Sequence, residues 1–336
     1  MKNNNVKRVL GWRNVFFIVV GFLLLATFLF TTSDLVAVSM YIVSVNKIVY
    51  VFAFFLVVLG VVAYAASWYV IVRAVNINFS FRFALTATWS SIFFNLMIPA
   101  ASFGGEFFRI YVVNRKSGVD YGTITVTVFL HRVITTLPFL TGSVIGFLYI
   151  DRFHGLPFFL SKMLMVILAI LSVALIFAFI LCVKPEILVK LTSLPLKLFS
   201  KRFHETAEKL KNVVLGFEES FKFLKKRKKV FIFSLSFAFV SWFFDVMVAY
   251  FVFMSLNYLL TFPIIVSVYT IGMTVQMIPV GIPGMVGVVE SIMSTLYTAT
   301  GVPINLSVAA TLLIRAIILW FQILVGGILT FRLKEI

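Results

Sequence analysis

The sequence has little that can coordinate, cross-link or titrate. Its 336 residues include one cysteine, three histidines and only 12 acidic residues. The lone Cys182 excludes an intrachain disulfide framework and a thiolate metal cluster. No His-Glu-x-x-His pair, no paired-aspartate motif and no Gly-x-x-x-x-Gly-Lys phosphate loop occurs. Zinc hydrolases, metal-dependent transferases and ATP-driven pumps each need one of these, so no catalytic residue, metal or cofactor is expected. Polar sequence is scarce too, since charged residues make up 12% of the chain.

What the chain does have is apolar surface. Hydrophobic residues reach 62%, Phe alone occurs 40 times, and mean hydropathy is +1.09. Soluble domains do not reach such values, and the fold class predicted is an all-α polytopic membrane protein. A net charge of +17 taken alone suits nucleic acid, but its distribution excludes that partner. The cations cluster between apolar runs, as cytoplasmic loops require, and suit an anionic leaflet.

Six runs are long enough to span: Asn14–Thr32, Lys47–Val72, Val119–Ile150, Met163–Val183, Val230–Asn257 and Ile304–Phe331. Asn14–Thr32 lacks a small-residue cleavage site and is read as a retained helix rather than a leader. Asp34 to Asn46 reads as a short external connection. Residues 184–229 carry 13 Lys/Arg against 5 Asp/Glu. Within them Phe203, Ala207, Leu210, Val214, Phe217, Phe221 and Leu224 recur at helical spacing, the pattern of a basic amphipathic helix lying on the inner leaflet. With both termini inside, 24 of the 29 Lys/Arg fall on the cytoplasmic side, which predicts a multi-pass protein of the cytoplasmic membrane.

Two further runs are broken. Phe83–Pro99 ends in Pro99, followed by Gly104, Gly105 and Glu106. Phe262–Val280 meets Pro279, Gly281, Pro283, Gly284 and Gly287 before Glu290. Helix breakers at membrane depth expose backbone that lipid cannot satisfy, so such segments sit in protein or line a watery cavity. Each break is followed by an arginine inside an apolar run: Arg132 lies 26 positions after Glu106, and Arg315 lies 25 after Glu290. The duplication predicts two halves, 1–162 and 163–336, each with three spans and a re-entrant hairpin (83–116 facing the cytoplasm, 262–302 facing out). The halves run in opposite orientation, as in alternating-access carriers.

Pro99, Gly104-Gly105-Glu106 and Arg109, the Pro279/Gly284/Gly287/Glu290 segment, and Arg315 in the last span resemble the lysylphosphatidylglycerol synthase transmembrane-domain family. That family includes the flippase domain of bacterial multiple peptide resistance factors and many stand-alone proteins. The resemblance covers nearly the whole chain and implies movement of a phospholipid or lipid-linked headgroup between leaflets. Resistance factors continue into an aminoacyl-transferase domain, whereas this sequence stops at Ile336, so the synthase chemistry is not carried over.

Intramembrane charges are costly and mark sites or ion pairs. Glu106, Arg109, Arg132, Asp245, Glu290 and Arg315 are the candidate headgroup-binding residues. The glutamates would hold a cationic group or proton, and the guanidinium forks a phosphate. The plainer reading of Glu106–Arg132 and Glu290–Arg315 is a pair of internal ion bridges, and of Arg109 an interfacial cation. His131 reads as packed, and Asn95 and Gln276 as partners for freed backbone. Flippase or scramblase activity is one expectation. The other is a membrane enzyme or enzyme partner in polyprenyl- or glycolipid metabolism, using Glu290 and Asp245.

Overall fold

The computed structural model describes residues 12–98, 104–184, 187, 204–278 and 281–333. Pro99 and Pro279, two of the expected breakers, lie outside the described residues, as does most of the basic stretch before residue 204. The chain is all α, with no strand among the described residues. In order run α1 (Trp12–Thr32), α2 (Leu35–Val43), α3 (Lys47–Ala74), α4 (Phe81–Met97), α5 (Gly104–Ser117) and α6 (Tyr121–Phe153). Then follow α7 (Phe158–Val183), α8 (His204–Lys225), α9 (Lys228–Ser255), α10 (Phe262–Gln276), α11 (Val288–Ala299) and α12 (Ile304–Leu333).

Six of these, α1, α3, α6, α7, α9 and α12, are long and apolar enough to cross a membrane. At about 1.5 Å per residue each covers a hydrocarbon core of about 30 Å, and a helix meets every backbone hydrogen bond within itself. The protein is therefore an all-α polytopic membrane protein. α10, with 15 residues, reaches only about 22 Å and stops short of a full crossing. The outer faces of α1 and α7 remain exposed and apolar, with Phe16, Phe30, Ile170 and Val173 facing outward, as a surface in hydrocarbon requires.

Local chemistry sets the helix starts. The side chains of Asp34, Asn46, Ser80 and Asp120 accept backbone N–H bonds at the first turns of α2, α3, α4 and α6. The Asp34 cap explains a departure from expectation. Residues 35–43 form a helix rather than a plain connection, and Val38 is buried against Val308 and Ala309 of α12.

The centre of the molecule is the pair α3 and α9, which run antiparallel. The Asn46 N–H donates to the Ser255 carbonyl (2.8 Å) at one end, and Ser67 and Ser234 share a hydroxyl bond (2.9 Å) near the other. Gly60 lies midway, facing Ser241 and Asp245. The short helices pack across the long ones. On α6, Gly142 and Gly146 meet Thr270 and Ser267 of α10, while Gly326 of α12 meets Trp89 of α4. Small residues let these backbones approach closely, which is how helices associate where the surrounding tails are as apolar as the interface.

The amphipathic helix corrects a second expectation. The side chains of residues 204–212 and of Val214 lie outside the described ones, but Phe217, Phe221 and Leu224 are buried against Val126, Leu130 and Ile134 of α6 and Ala238 of α9. Gly122 and Gly216 lie against one another, and Thr123 bonds Ser220 (2.9 Å). Protein therefore covers this end of the apolar face, where membrane lipid was expected. A helical periodicity in sequence reports which face is buried and not what buries it.

Candidate functional site

The second break is built on left-handed backbone. Gly281, Gly284 and Gly287 have φ of 88°, 56° and 85°. A Cβ on Gly287 would also press on backbone atoms of Gly21 and Leu25 in α1, so only glycine fits there. Glu290, in the first turn of α11, reaches back and accepts the Gly287 N–H through Oε2 (2.6 Å). Its Oε1 accepts from Arg315 Nε (2.6 Å). Arg315 Nη1 donates to Gln276 Oε1 and Nη2 to the Gly284 carbonyl, both at 2.5 Å. Glu290 and Arg315 are 3% and 1% exposed, so one arginine ties both sides of the break to α12 inside the protein.

The first break repeats the parts with looser geometry. The Gly105 N–H donates to Asn95 Oδ1 (2.7 Å), and Asn95 Nδ2 donates to Glu106 Oε1 (3.3 Å). A Cβ at Gly105 would collide with the Ser91 carbonyl, which is where α5 crosses α4. Arg132 approaches Glu106 only to 3.5 Å and keeps 22% of its side chain exposed. Glu106 Oε2 has no hydrogen-bond partner among the described residues.

Arg109, expected at the interface, is completely buried. It stacks over Trp68 (4.6 Å to the ring centroid), and its Nη1 lies 3.2 Å from His131 Nδ1. His131 Nε2 in turn faces the Tyr64 carbonyl at 3.1 Å. Arg109 Nε and Nη2 lack partners among the described residues. Its neighbours Arg115 and Lys116 made it read as a surface cation. Trp68 of α3 and His131 of α6 enclose it, and neither is near it in sequence.

Between the breaks lies a cavity of about 170 Å³ whose wall is largely apolar (Val61, Ile92, Leu96, Phe139, Met273, Met277, Ile318) but carries polar side chains from both halves of the chain: Tyr64, Asn95, Arg132, Ser241, Asp245, Tyr269, Gln276 and Gln322. Its lining comes in pairs. Gly60 and Ser241 are 181 positions apart, and so are Tyr64 and Asp245, Ile92 and Met273, Asn95 and Gln276, and Leu96 and Met277. The space admits several waters or one phosphate-sized group, because a water needs only about 10–15 Å³ by this kind of measure. Among the described residues no group of three His, Cys, Asp or Glu side chains is arranged to hold a metal ion.

Residues 15–326 match the model of the lysylphosphatidylglycerol synthase TM region. The chain belongs to this family. A UPF0104 membrane protein of Pyrococcus horikoshii is 30% identical over 291 residues, spanning 83% of this chain and 85% of that protein. A UPF0104 membrane protein of Methanocaldococcus jannaschii is 25% identical over 324 residues, 93% of this chain and 94% of the relative. One from Methanothermobacter thermautotrophicus is 25% identical over 261 residues, 76% and 77% of the two chains.

For this member of the lysylphosphatidylglycerol synthase TM family, the sequence-predicted residues fall into three groups. Glu290 and Arg315 meet each other and the backbone. Glu106 and Arg132 meet loosely, and Arg132 joins Asp245 in the cavity wall. Arg109 does not line the cavity itself but lies directly behind the wall, stacked on Trp68 and in contact with the Tyr64 side chain that does. Tyr64, Ser241, Tyr269 and Gln322 were missed. The separation of 181 from Asp245 would have identified Tyr64, had the duplication been followed back from the breaks into α3.

Proposed function

We propose that this protein carries the headgroup of a membrane lipid between leaflets through the cavity, while the tails stay in hydrocarbon. The observation that carries the reading is the paired lining. Residues of the first half, 1–162, and of the second, 163–336, meet around one cavity at a constant separation, beside two helices that run antiparallel. A two-fold axis relating antiparallel helices lies across them, hence in the membrane plane, and inverted halves with broken helices are the architecture of alternating access. The six charged residues share the work. Arg132 meets the lipid phosphate with Arg109 as a second cation behind it, and Asp245 meets a donor on the headgroup. The Glu106–Arg132 and Glu290–Arg315 pairs hold hairpins 83–116 and 262–302, whose opening to opposite faces alternates. The positive-inside balance supports cytoplasmic termini in a cytoplasmic membrane, with anionic inner-leaflet lipid against the basic segments.

The test is translocation in proteoliposomes, using headgroup-labelled phosphatidylglycerol, phosphatidylethanolamine and a polyprenyl phosphate, for wild type, Arg132→Ala and Asp245→Asn. Transfer that selects among headgroups, and is lost in both variants while they remain folded, is expected. Transfer no faster than in protein-free vesicles for every lipid overturns the reading. A new lipid product would move it to an enzyme.

A further inference from the structure

We propose that an apolar crevice beside the cavity holds one hydrocarbon tail of the lipid whose headgroup enters it. The crevice measures about 140 Å³ and lies between α1, the end of α4, the second break and α12. Ile18, Phe22, Val286, Trp320 and Ile323 line it, and no charged side chain does. It is distinct from the charged-residue cavity but shares a wall with it. Leu96 borders both spaces, and consecutive residues of α12, Ile318 and Leu319, face the cavity and the crevice respectively. These two residues sit in the π-helical turn Ala316–Phe321 that directly follows Arg315. Such turns are rare and concentrate at functional positions.

The chemistry of the occupant follows from this placement. One side-chain thickness separates a cavity bearing Arg132 and Asp245 from a crevice with no charged side chain, and an amphiphile carries those two chemistries at that spacing. The mouth of the crevice faces outward. The rings of Phe22 and Trp320 stack there at 6.1 Å, and each residue is 46% exposed on a surface that in a bilayer touches alkyl chains. An apolar protein cavity of about 150 Å³ takes one benzene, so this crevice accepts about six carbons, the part of a chain nearest the glycerol. A tail gains no hydrophobic free energy by moving from lipid into protein, so the crevice acts by shape and dispersion contact, placing the headgroup over the cavity rather than adding much affinity. The identity of the lipid rests on the transport reading; the occupancy of the crevice does not.

Trp320 reports occupancy directly. Phosphatidylcholine vesicles containing the protein are titrated with small mole fractions of phosphatidylglycerol, phosphatidylethanolamine or phosphatidic acid brominated high in the tails. The quenching that disappears in Trp320→Phe is then followed. At least one of these lipids should quench Trp320 several-fold more than its mole fraction accounts for, and saturate. Ile18→Phe with Ile323→Phe, which fills the crevice, should remove the saturating component. Ile323→Phe alone gives the same reading where the double variant does not elute as wild type. Quenching that rises linearly with mole fraction for every lipid means ordinary boundary contact and overturns the proposal. Saturating quenching without translocation leaves the tail site standing and removes the transport reading. Headgroup-selective translocation with linear quenching does the reverse.

Discussion

Around Glu290 the arginine donates to a carboxylate, an amide and a carbonyl, and the carboxylate's second oxygen takes a backbone N–H. Around Glu106 the same residue types stand further apart, with one carboxylate oxygen unmet among the described residues and the arginine partly open to the cavity. The amides correspond as well, with Asn95 and Gln276 at the same separation of 181 as their helices. The contrast shows that an intramembrane ion pair has two uses. A buried pair whose every hydrogen bond is met fixes a backbone that would otherwise leave orphaned carbonyls in an apolar setting. A stretched pair at a cavity wall leaves a guanidinium able to take another acceptor.

The sharpest way to break this contrast is to remove the arginine from the closed side. Arg315→Ala leaves Glu290 buried without its cation, a loss of about 3–5 kcal/mol. Thermal unfolding in detergent reads it, and a midpoint equal to wild type would mean the bridge holds nothing. Next in size is Gly287→Ala. A φ of 85° and the contact with α1 cost about 1–3 kcal/mol in the same measurement.

Arg132→Ala sharpens the contrast by separating two readouts. Arg132 is 22% exposed while Glu106 is only 8%, and the pair stands at 3.5 Å, so losing this arginine strands the buried carboxylate less severely than on the closed side. The unfolding midpoint falls by less than in Arg315→Ala while lipid transfer is lost. A loss of stability equal to that of Arg315→Ala would erase the difference between the breaks. Arg109→Met is expected to be the mildest for stability. Two of its guanidinium nitrogens have no hydrogen-bond partner among the described residues. An apolar chain of similar length therefore recovers part of what the lost contacts with Trp68 and His131 cost, and the unfolding midpoint falls least of the four.

The spans and breaks were legible because lipid leaves few choices: about 20 apolar residues make a helix, and prolines with glycines interrupt one. The Glu–Arg spacing was legible for the same reason, since charge is rare enough in these runs to stand out. Other features were not. The separation is 181 for α3 and α9 but 184 for the two glutamates, because the second break is longer, and no polar pattern in α3 marks the correspondence. Arg109 looked like a surface cation because its sequence neighbours are charged, while the residues that bury it come from α3 and α6. Residues 217–224 looked lipid-facing because periodicity carries no information about the partner, and here the partner is α6.

Tyr64 and Asp245 occupy corresponding positions in the cavity wall, yet one ends in a phenol and the other in a carboxyl group. Two identical halves would present the same wall from either side, and a guest could sit either way round with equal energy. With a phenol in one wall and a carboxyl in the other, the two orientations of an unsymmetrical guest differ in energy. The cavity thus has a heads and a tails, a polarity written into the protein itself.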